Sequence, residues 1–108
     1  MIYFLNIEIK PYKVDEFFDS MQSFTHRIRK NNECLDFNLY RNSEKENSYI
    51  VIGKWKTRQA LERHFQRNEF ELLLGAARVL GETFEMNIVE VLKTGGLEFA
   101  REQIHCND

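Results

Sequence analysis

Residues 47–80 read NSYIVIGKWKTRQALERHFQRNEFELLLGAARVL, and this stretch decides the fold. Residues 49–55 alternate between two faces and are rich in β-branched and aromatic side chains, which predicts a strand. Apolar residues then recur at helical spacing, which predicts a helix over residues 57–65 and a second helix over residues 69–80. The stretch therefore predicts one strand followed by a helix that is split in two.

The flanking sequence supplies three more strands and one more helix. Alternating side chains predict strands over residues 2–9, 34–40 and 83–92. After the first strand, Pro11 opens a helix, which we expect to end at residues 31–32 because these two asparagines tolerate left-handed backbone. The order of elements predicts an α+β, ferredoxin-like split βαβ fold, with a four-stranded antiparallel sheet and helices on one face.

Local signals mark the ends of the split helix. Thr57 is expected to cap its first half, because the hydroxyl can accept a free backbone N–H, and Gly81 is expected to end its second half. Asn68 and Glu71 are spaced as a capping box for the second half.

The size of the chain, 108 residues and 13.0 kDa, fits one domain. We place an independent domain at residues 1–93 and a C-terminal tail at residues 94–108. The tail is expected to form a short helix that packs on a dimer.

One face of the predicted sheet has no helix to cover it. Alternation places on that face Ile2, Phe4, Ile50, Ile52 and the apolar side of the last strand, which comprises Phe84, Met86, Ile88 and Leu92. On the second strand, alternation groups Leu35, Phe37 and Leu39 on one side. Leaving an apolar face in water is unfavourable by about 25 cal/mol per Å². We therefore expect a second copy of the chain to cover it, which gives a dimeric α/β barrel.

Charge and composition narrow the class of protein. The net charge is -2 and the pI about 5.9, which gives no electrostatic reason to bind nucleic acid. We expect no membrane span and no signal peptide, because no apolar run is long enough. Cys34 and Cys106 have no metal-binding or CxxC spacing, so we expect free thiols, a cytoplasmic location and no metal site.

Several segments carry a resemblance to a known family. They are Pro11 followed by Phe17, CLDFNLYR at 34–41, Trp55 at a strand end, ALERHF at 60–65, Glu69 with Phe70, and FEMNI at 84–88. Together they resemble the antibiotic biosynthesis monooxygenase family, of the dimeric α+β barrel superfamily, over residues 1–93. The resemblance implies a homodimer and, in each subunit, a pocket between sheet and helices. It also implies chemistry without cofactors, since the oxidising members use no flavin or added metal.

The resemblance identifies Trp55 and His64 as candidate catalytic residues. Trp55 matches the family's Trp, which would shape the pocket and donate its indole N–H; the alternative is a purely packing role. His64 matches a His common in the family, as a general base or hydrogen-bond donor; the alternative is a structural histidine bonded to backbone. The candidate substrate-binding residues are Phe37, Asn38, Tyr40, Val51, Leu61 and Leu73. Asn38 and Tyr40 could equally lie at the subunit interface.

Departures from the family's patterns narrow the range of reactions that this chain is expected to catalyse. Polyketide-tailoring members have Asn and Tyr where this chain has Val51 and Leu61. The haem-degrading branch needs a His on the second half of the split helix, where residues 72–75 hold no ligand, and an Asn at the position of Leu5. These departures disfavour haem degradation.

Three functions remain. The first is a cofactor-independent monooxygenase of a small aromatic or quinol-type compound, with a mainly apolar pocket of about 300–1,000 Å³ walled by Trp55 and His64. The second is a non-catalytic dimeric module, for small-molecule binding or stress response. Its pocket would be filled by residues such as Leu61 and Leu72, with His64 bonded to backbone. The third is an isomerase or lyase of a small polar metabolite, which requires Asn38, Tyr40 and His64 to converge.

Overall fold

The computed structural model describes residues 1–105, in which four strands and four α-helices follow one another in the predicted order. A short 3₁₀ turn, Pro11–Lys13, precedes the first helix. The elements are β1 (Ile2–Ile9), α1 (Val14–Arg29), β2 (Cys34–Arg41), β3 (Ser48–Trp55), α2 (Arg58–Phe65), α3 (Asn68–Leu80), β4 (Gly81–Val89) and α4 (Leu97–His105). Cys106, expected to be a free thiol in the predicted tail helix, lies outside the described residues.

The strands form one antiparallel sheet in the order β2-β3-β1-β4, which confirms the ferredoxin-like topology. β1 lies at the centre, where Leu5 pairs with Val51 on one side and with Met86 on the other. Alternation turns one face of β1 toward the helices, and the side chains on that face are buried: Tyr3, Leu5, Ile7 and Ile9.

The helix α1 packs its apolar stripe on the sheet and ends where the sequence predicts. Phe17, Met21 and Ile28 are its buried residues. The mechanism of its ending differs from the prediction, because Asn47 is the only non-glycine residue with positive φ in the described chain. Asn31 acts instead through its side-chain oxygen, which accepts the backbone N–H of Glu33 at 3.0 Å.

The two halves of the split helix begin in different ways. Thr57 caps α2 as predicted, and its hydroxyl oxygen accepts the N–H of Ala60 at 3.0 Å. The predicted capping box of Asn68 with Glu71 is wrong. Asn68 is already helical, Arg67 occupies the N-cap position, and no side chain caps α3.

Gly81 joins α3 to β4 without a left-handed turn. Its backbone is extended, with φ −92° and ψ 157°. A Cβ at this position would lie 2.5 Å from the carbonyl oxygen of Ala77. A glycine is therefore required here, because the backbone of α3 comes too close for a side chain where the chain passes from helix to strand.

A bulge at the start of β2 changes the predicted faces of that strand. Cys34 pairs with Trp55 while Asp36 pairs with Lys54, so Leu35 is an extra residue without a partner. Leu35 is 62% exposed while Phe37 is buried, so the prediction that the two residues lie on the same side of the strand is wrong.

The register of β4 corrects the predicted composition of the open face. Phe84, Met86 and Ile88 pair with Ile7, Leu5 and Tyr3, and directly paired residues of antiparallel strands share a face. The apolar side of β4 therefore lies on the helix side of the sheet, while Leu92 lies beyond the strand. The open face carries a narrower apolar strip, which consists of Ile2, Phe4, Ile50 and Ile52.

Tyr3 and Gly53 form a cross-strand pair that shapes the core. The tyrosine ring lies over the glycine, and a Cβ on Gly53 would come within 2.7 Å of that ring. The glycine thus makes room for an aromatic ring that fills the gap.

We expect Gly53→Ala to lower the free energy of unfolding by about 2 kcal/mol, because the tyrosine ring has to shift inside a packed core. Gly75→Ala is the matched control, since an added Cβ there meets nothing within 4 Å. Inside a helix, this control should stabilise the protein by about 0.5–1 kcal/mol. Urea unfolding of the two variants measures whether Gly53→Ala lowers, and Gly75→Ala raises, the free energy of unfolding. Equal effects would contradict the packing role of Gly53.

Candidate functional site

Tyr3, Trp55 and His64 come together in the interior from three different elements. The Tyr3 hydroxyl lies 2.8 Å from Nε2 of His64. The rings of Trp55 and His64 are stacked, with centroids 4.2 Å apart and planes inclined by 24°. Each of the three residues is at most 1% exposed. The structure therefore brings together the two catalytic candidates and adds a tyrosine to them.

Local sequence explains why these side chains meet. Tyr3 occupies an inward position of β1, and Trp55 is the last inward residue of β3. His64 falls on the buried stripe of α2, with Ala60 and Leu61. Phe70 of α3 closes the cluster, with its ring centroid 5.1 Å from that of His64.

Burial keeps the cluster uncharged. Burial, with a smaller contribution from the nearby Arg67 cation, lowers the pKa of His64 from 6.5 to about 4. Burial also raises the pKa of Tyr3 well above its ordinary value, with a smaller contribution from Cys34. Near neutral pH the hydrogen bond therefore joins a neutral phenol and a neutral imidazole. This partner corrects the expectation, under the non-catalytic hypothesis, that His64 bonds to backbone.

The indole N–H of Trp55 has no acceptor. Trp55 Nε1 is the only buried side-chain nitrogen or oxygen in the described part of the chain without a hydrogen-bond partner. It lies 3.2 Å from the position that a Cβ of Gly53 would occupy. A buried donor without an acceptor costs about 1–3 kcal/mol, so an acceptor supplied by a ligand would stabilise it.

A cleft of about 390 Å³ opens beside Trp55 and His64. It lies between the end of α1 and the junction of α2 with α3. The expectation of a mainly apolar pocket is wrong for this cleft, because the residues around the Trp–His wall are mostly charged or polar. They are Arg27, Ile28, Lys30, Asn31, Asn32, Arg67 and Glu69.

The candidate substrate-binding residues do not join this cleft. Four of them are buried in the core, where they pack between sheet and helices: Phe37, Val51, Leu61 and Leu73. Asn38 and Tyr40 lie on the open side of the sheet, in pairs with Ile52 and Ile50. They do not converge with His64, so the condition for the isomerase hypothesis is not met.

Two further expectations concern single residues near the site. Leu72, expected to fill a pocket, is 41% exposed on α3. Cys34 carries a free thiol, and burial raises its pKa.

Sequence reasoning missed Tyr3 and the cations of the cleft as site residues. A tyrosine at an inward strand position is a signal for Tyr3, because a buried hydroxyl needs a partner. Arg27 and Lys30 had an ordinary explanation at a helix end. Arg67 follows His64 by only three residues, but only the fold brings it beside Arg27 and Lys30.

No group of three His, Cys, Asp or Glu side chains in residues 1–105 is placed to hold a metal ion. None of the helices in that range has the length and apolarity needed to cross a membrane.

The fold places the chain in the class of small ferredoxin-like α+β proteins, with a buried aromatic cluster at the end of β3. Residues 2–73 match the family model described as antibiotic biosynthesis monooxygenase. The chain belongs to the antibiotic biosynthesis monooxygenase family.

The chain has sequence relatives in Synechocystis and in Bacillus subtilis. The chain is 30% identical over 90 residues to an uncharacterised protein of Synechocystis, a match that covers 82% of this chain and 61% of that protein. It is 28% identical over 65 residues to YcnE of Bacillus subtilis, described as a candidate monooxygenase, with 60% of this chain and 68% of that protein covered. The chain thus spans less than two thirds of the cyanobacterial relative.

Solved structures share the fold. A candidate antibiotic biosynthesis monooxygenase from Deinococcus radiodurans superposes with a TM-score of 0.81 at 10% identity, covering 89% of this chain and 96% of that one. A similar candidate from Caulobacter crescentus gives a TM-score of 0.77 at 18% identity, with 85% and 89% covered. At these identities the likeness shows the fold alone.

His64 should make stability depend on pH. Between pH 6.5 and about 4 the unfolded chain binds a proton at His64 that the folded chain does not, so the free energy of unfolding falls as pH falls. We expect a loss of about 3 kcal/mol across this window. Urea unfolding at several pH values measures it.

His64→Gln should remove most of this loss, because its amide can still bond to Tyr3 but does not titrate. His26→Gln, on the exposed side of α1, is the matched control and should keep the wild-type slope. The same slope in both variants would contradict the assignment to His64.

Proposed function

We propose that the protein is a monooxygenase that oxidises a small aromatic, quinol-type compound without an added cofactor. Membership of the family supports the general activity. The observation that carries the proposal is the wall formed by Trp55 and His64, beside a cleft of about 390 Å³. A volume of this size accommodates a small ring compound.

The chemistry requires no external reductant. A ring carbon of the quinol gains one atom of O₂ as a hydroxyl group. The second oxygen atom leaves as water, with the hydrogen atoms of the two original hydroxyls. All electrons come from the quinol, which becomes a hydroxyquinone.

The charges around the cleft favour the reactive form of such a substrate. Arg27, Lys30 and Arg67 would lower the pKa of a bound phenol, because cations stabilise the phenolate. The phenolate is the electron-rich form that reacts with O₂.

Of the two roles expected for His64, hydrogen bonding fits better than general base catalysis. A side chain with a pKa of about 4 is a weak proton acceptor near neutral pH. As a neutral ring, His64 can orient Tyr3 and support the adjacent indole of Trp55.

Oxygen uptake with a panel of quinols tests the activity. We expect about one O₂ consumed per quinone formed, retained after dialysis against a chelator and without flavin absorbance. Trp55→Phe should lower kcat/KM about tenfold, since the ring stays but its N–H donor is lost. Tyr12→Phe, which alters an exposed aromatic ring in the 3₁₀ turn, is the control and should retain full activity. No uptake across the panel would overturn the proposal.

A second candidate function is a non-catalytic module that binds a small molecule. The packed interior favours this candidate. Phe37, Leu61 and Leu73 fill the core, so a ligand would bind in the cleft and not in an enclosed chamber. Saturable binding of a quinol without any oxygen uptake would support this candidate over the monooxygenase.

We also propose that the protein is a homodimer that pairs through its open sheet face. The apolar strip on that face supports this, as does an extended C-terminal helix α4 with Leu97 and Ile104 exposed. The radius of gyration is 16.0 Å, whereas a compact chain of this length has about 13 Å. Free Cys34 fits the cytoplasmic location that we propose.

Sedimentation at micromolar concentration tests the dimer. Ile52→Lys should shift the protein to monomer, because a charge would be buried among apolar side chains at the interface. Val79→Lys makes the same kind of change on the exposed side of α3 and should leave the dimer intact. A monomeric wild-type protein would contradict the proposal.

A further inference from the structure

Three cations line the cleft without an anionic partner. Arg27 comes from α1, Lys30 follows that helix, and Arg67 lies between α2 and α3. Within residues 1–105 none of them forms an ion pair or a side-chain hydrogen bond. Other arginines nearby do find partners, such as Arg63 with Glu33. Glu69 is the one carboxylate that lines the cleft.

Helix dipoles explain only part of this arrangement. Arg27 and Lys30 lie at the C-terminal end of α1, where cations are favoured. Arg67 occupies the N-cap of α3, where the dipole is positive and a cation is unfavourable. No side chain caps that end of the helix. The energetics of the helix end therefore do not explain why a cation lies at position 67, whereas a bound anion would explain it.

The surroundings of Arg67 also suit an anion. The adjacent His64 stays neutral near pH 7, so the positive charge at the cleft comes from the three cations. Trp55, which lines the same cleft, holds an N–H without an acceptor. Asn31 and Asn32 add amide groups at the rim.

We propose that this cleft binds an acidic group, a carboxylate or a phosphate, carried on the aromatic substrate, with Arg27, Lys30 and Arg67 as its counter-ions. The proposal names the substrate class of the proposed function and rests on it for the aromatic ring. The acidic group orients the ring at the Trp55–His64 wall.

Binding of simple probes tests the proposal without any turnover. The chain has one tryptophan, so titrations can be followed by Trp55 fluorescence and checked by calorimetry. Benzoate and phenyl phosphate are the anionic probes, and benzamide is the uncharged probe of the same shape as benzoate. We expect the anionic probes to bind at least tenfold more tightly than benzamide, with affinity that falls as salt is added.

The comparison of probes also identifies the acidic group. Tighter binding of benzoate indicates a carboxylate, whereas tighter binding of phenyl phosphate indicates a phosphate ester. Inorganic phosphate serves as the probe without a ring and should bind more weakly than phenyl phosphate. Equal binding of benzoate and benzamide would overturn the proposal.

Variants locate the binding site. Arg67→Gln should weaken binding of the anionic probes about tenfold and leave benzamide unchanged. Arg78→Gln is the matched control, because it removes the same charge from the exposed last turn of the same helix. At about 16 Å from Arg67 along the helix it lies beyond effective electrostatic range. Arg27→Gln is a second test from another element. If neither cleft variant weakens binding, the proposal fails.

The two proposals can fail separately. If the protein oxidised uncharged quinols with no preference for acidic ones, the monooxygenase proposal would be supported and the anion-site proposal would be contradicted. If benzoate bound in a salt-dependent manner without any oxygen uptake, the anion-site proposal would be supported and the monooxygenase proposal would be contradicted.

Discussion

The buried hydrogen bond between Tyr3 and His64 joins parts of the chain that are 61 residues apart. It ties the central strand to the first half of the split helix. Neither group can be left without a partner in the interior, because a buried polar group that loses its hydrogen bond costs about 1–3 kcal/mol. Gly53 makes the bond geometrically accessible, since only a residue without a side chain lets the tyrosine ring lie flat across β3. Trp55 then stacks on the imidazole and completes the wall of the cleft.

The site separates an uncharged wall from a charged rim. Burial suppresses ionisation of Tyr3 and His64, while the basic side chains of Arg27, Lys30 and Arg67 line the opening. In the function that we propose, such an arrangement would attract an acidic group by its charge and hold the aromatic ring by contact. The arrangement is consistent with a family whose members act on small molecules. The charged side chains around the cleft distinguish it from a purely apolar pocket.

Register decided which apolar side chains face which side of the sheet. Pairing of Met86 with Leu5 turned the apolar side of β4 toward the helices, and the bulge at Leu35 turned that residue outward. Met86 obeys the alternation that the sequence predicts, whereas Leu35 departs from it at the bulge. Alternation tells which residues share a face but not which face that is, because a shift of one residue exchanges the two faces.

The sequence by itself determined the order of elements, the helix cap at Thr57, the buried stripes of α1, α2 and α3, and the encounter of Trp55 with His64. These follow from periodicity and from family resemblance, both of which are local in the chain. Only the tertiary structure decided that Tyr3 is the partner of His64, that Arg67 joins Arg27 and Lys30, and that Asn38 and Tyr40 lie on the other side of the sheet. Such contacts depend on strand register and on helix placement, which are set by packing across the whole domain and leave no signal within any single segment.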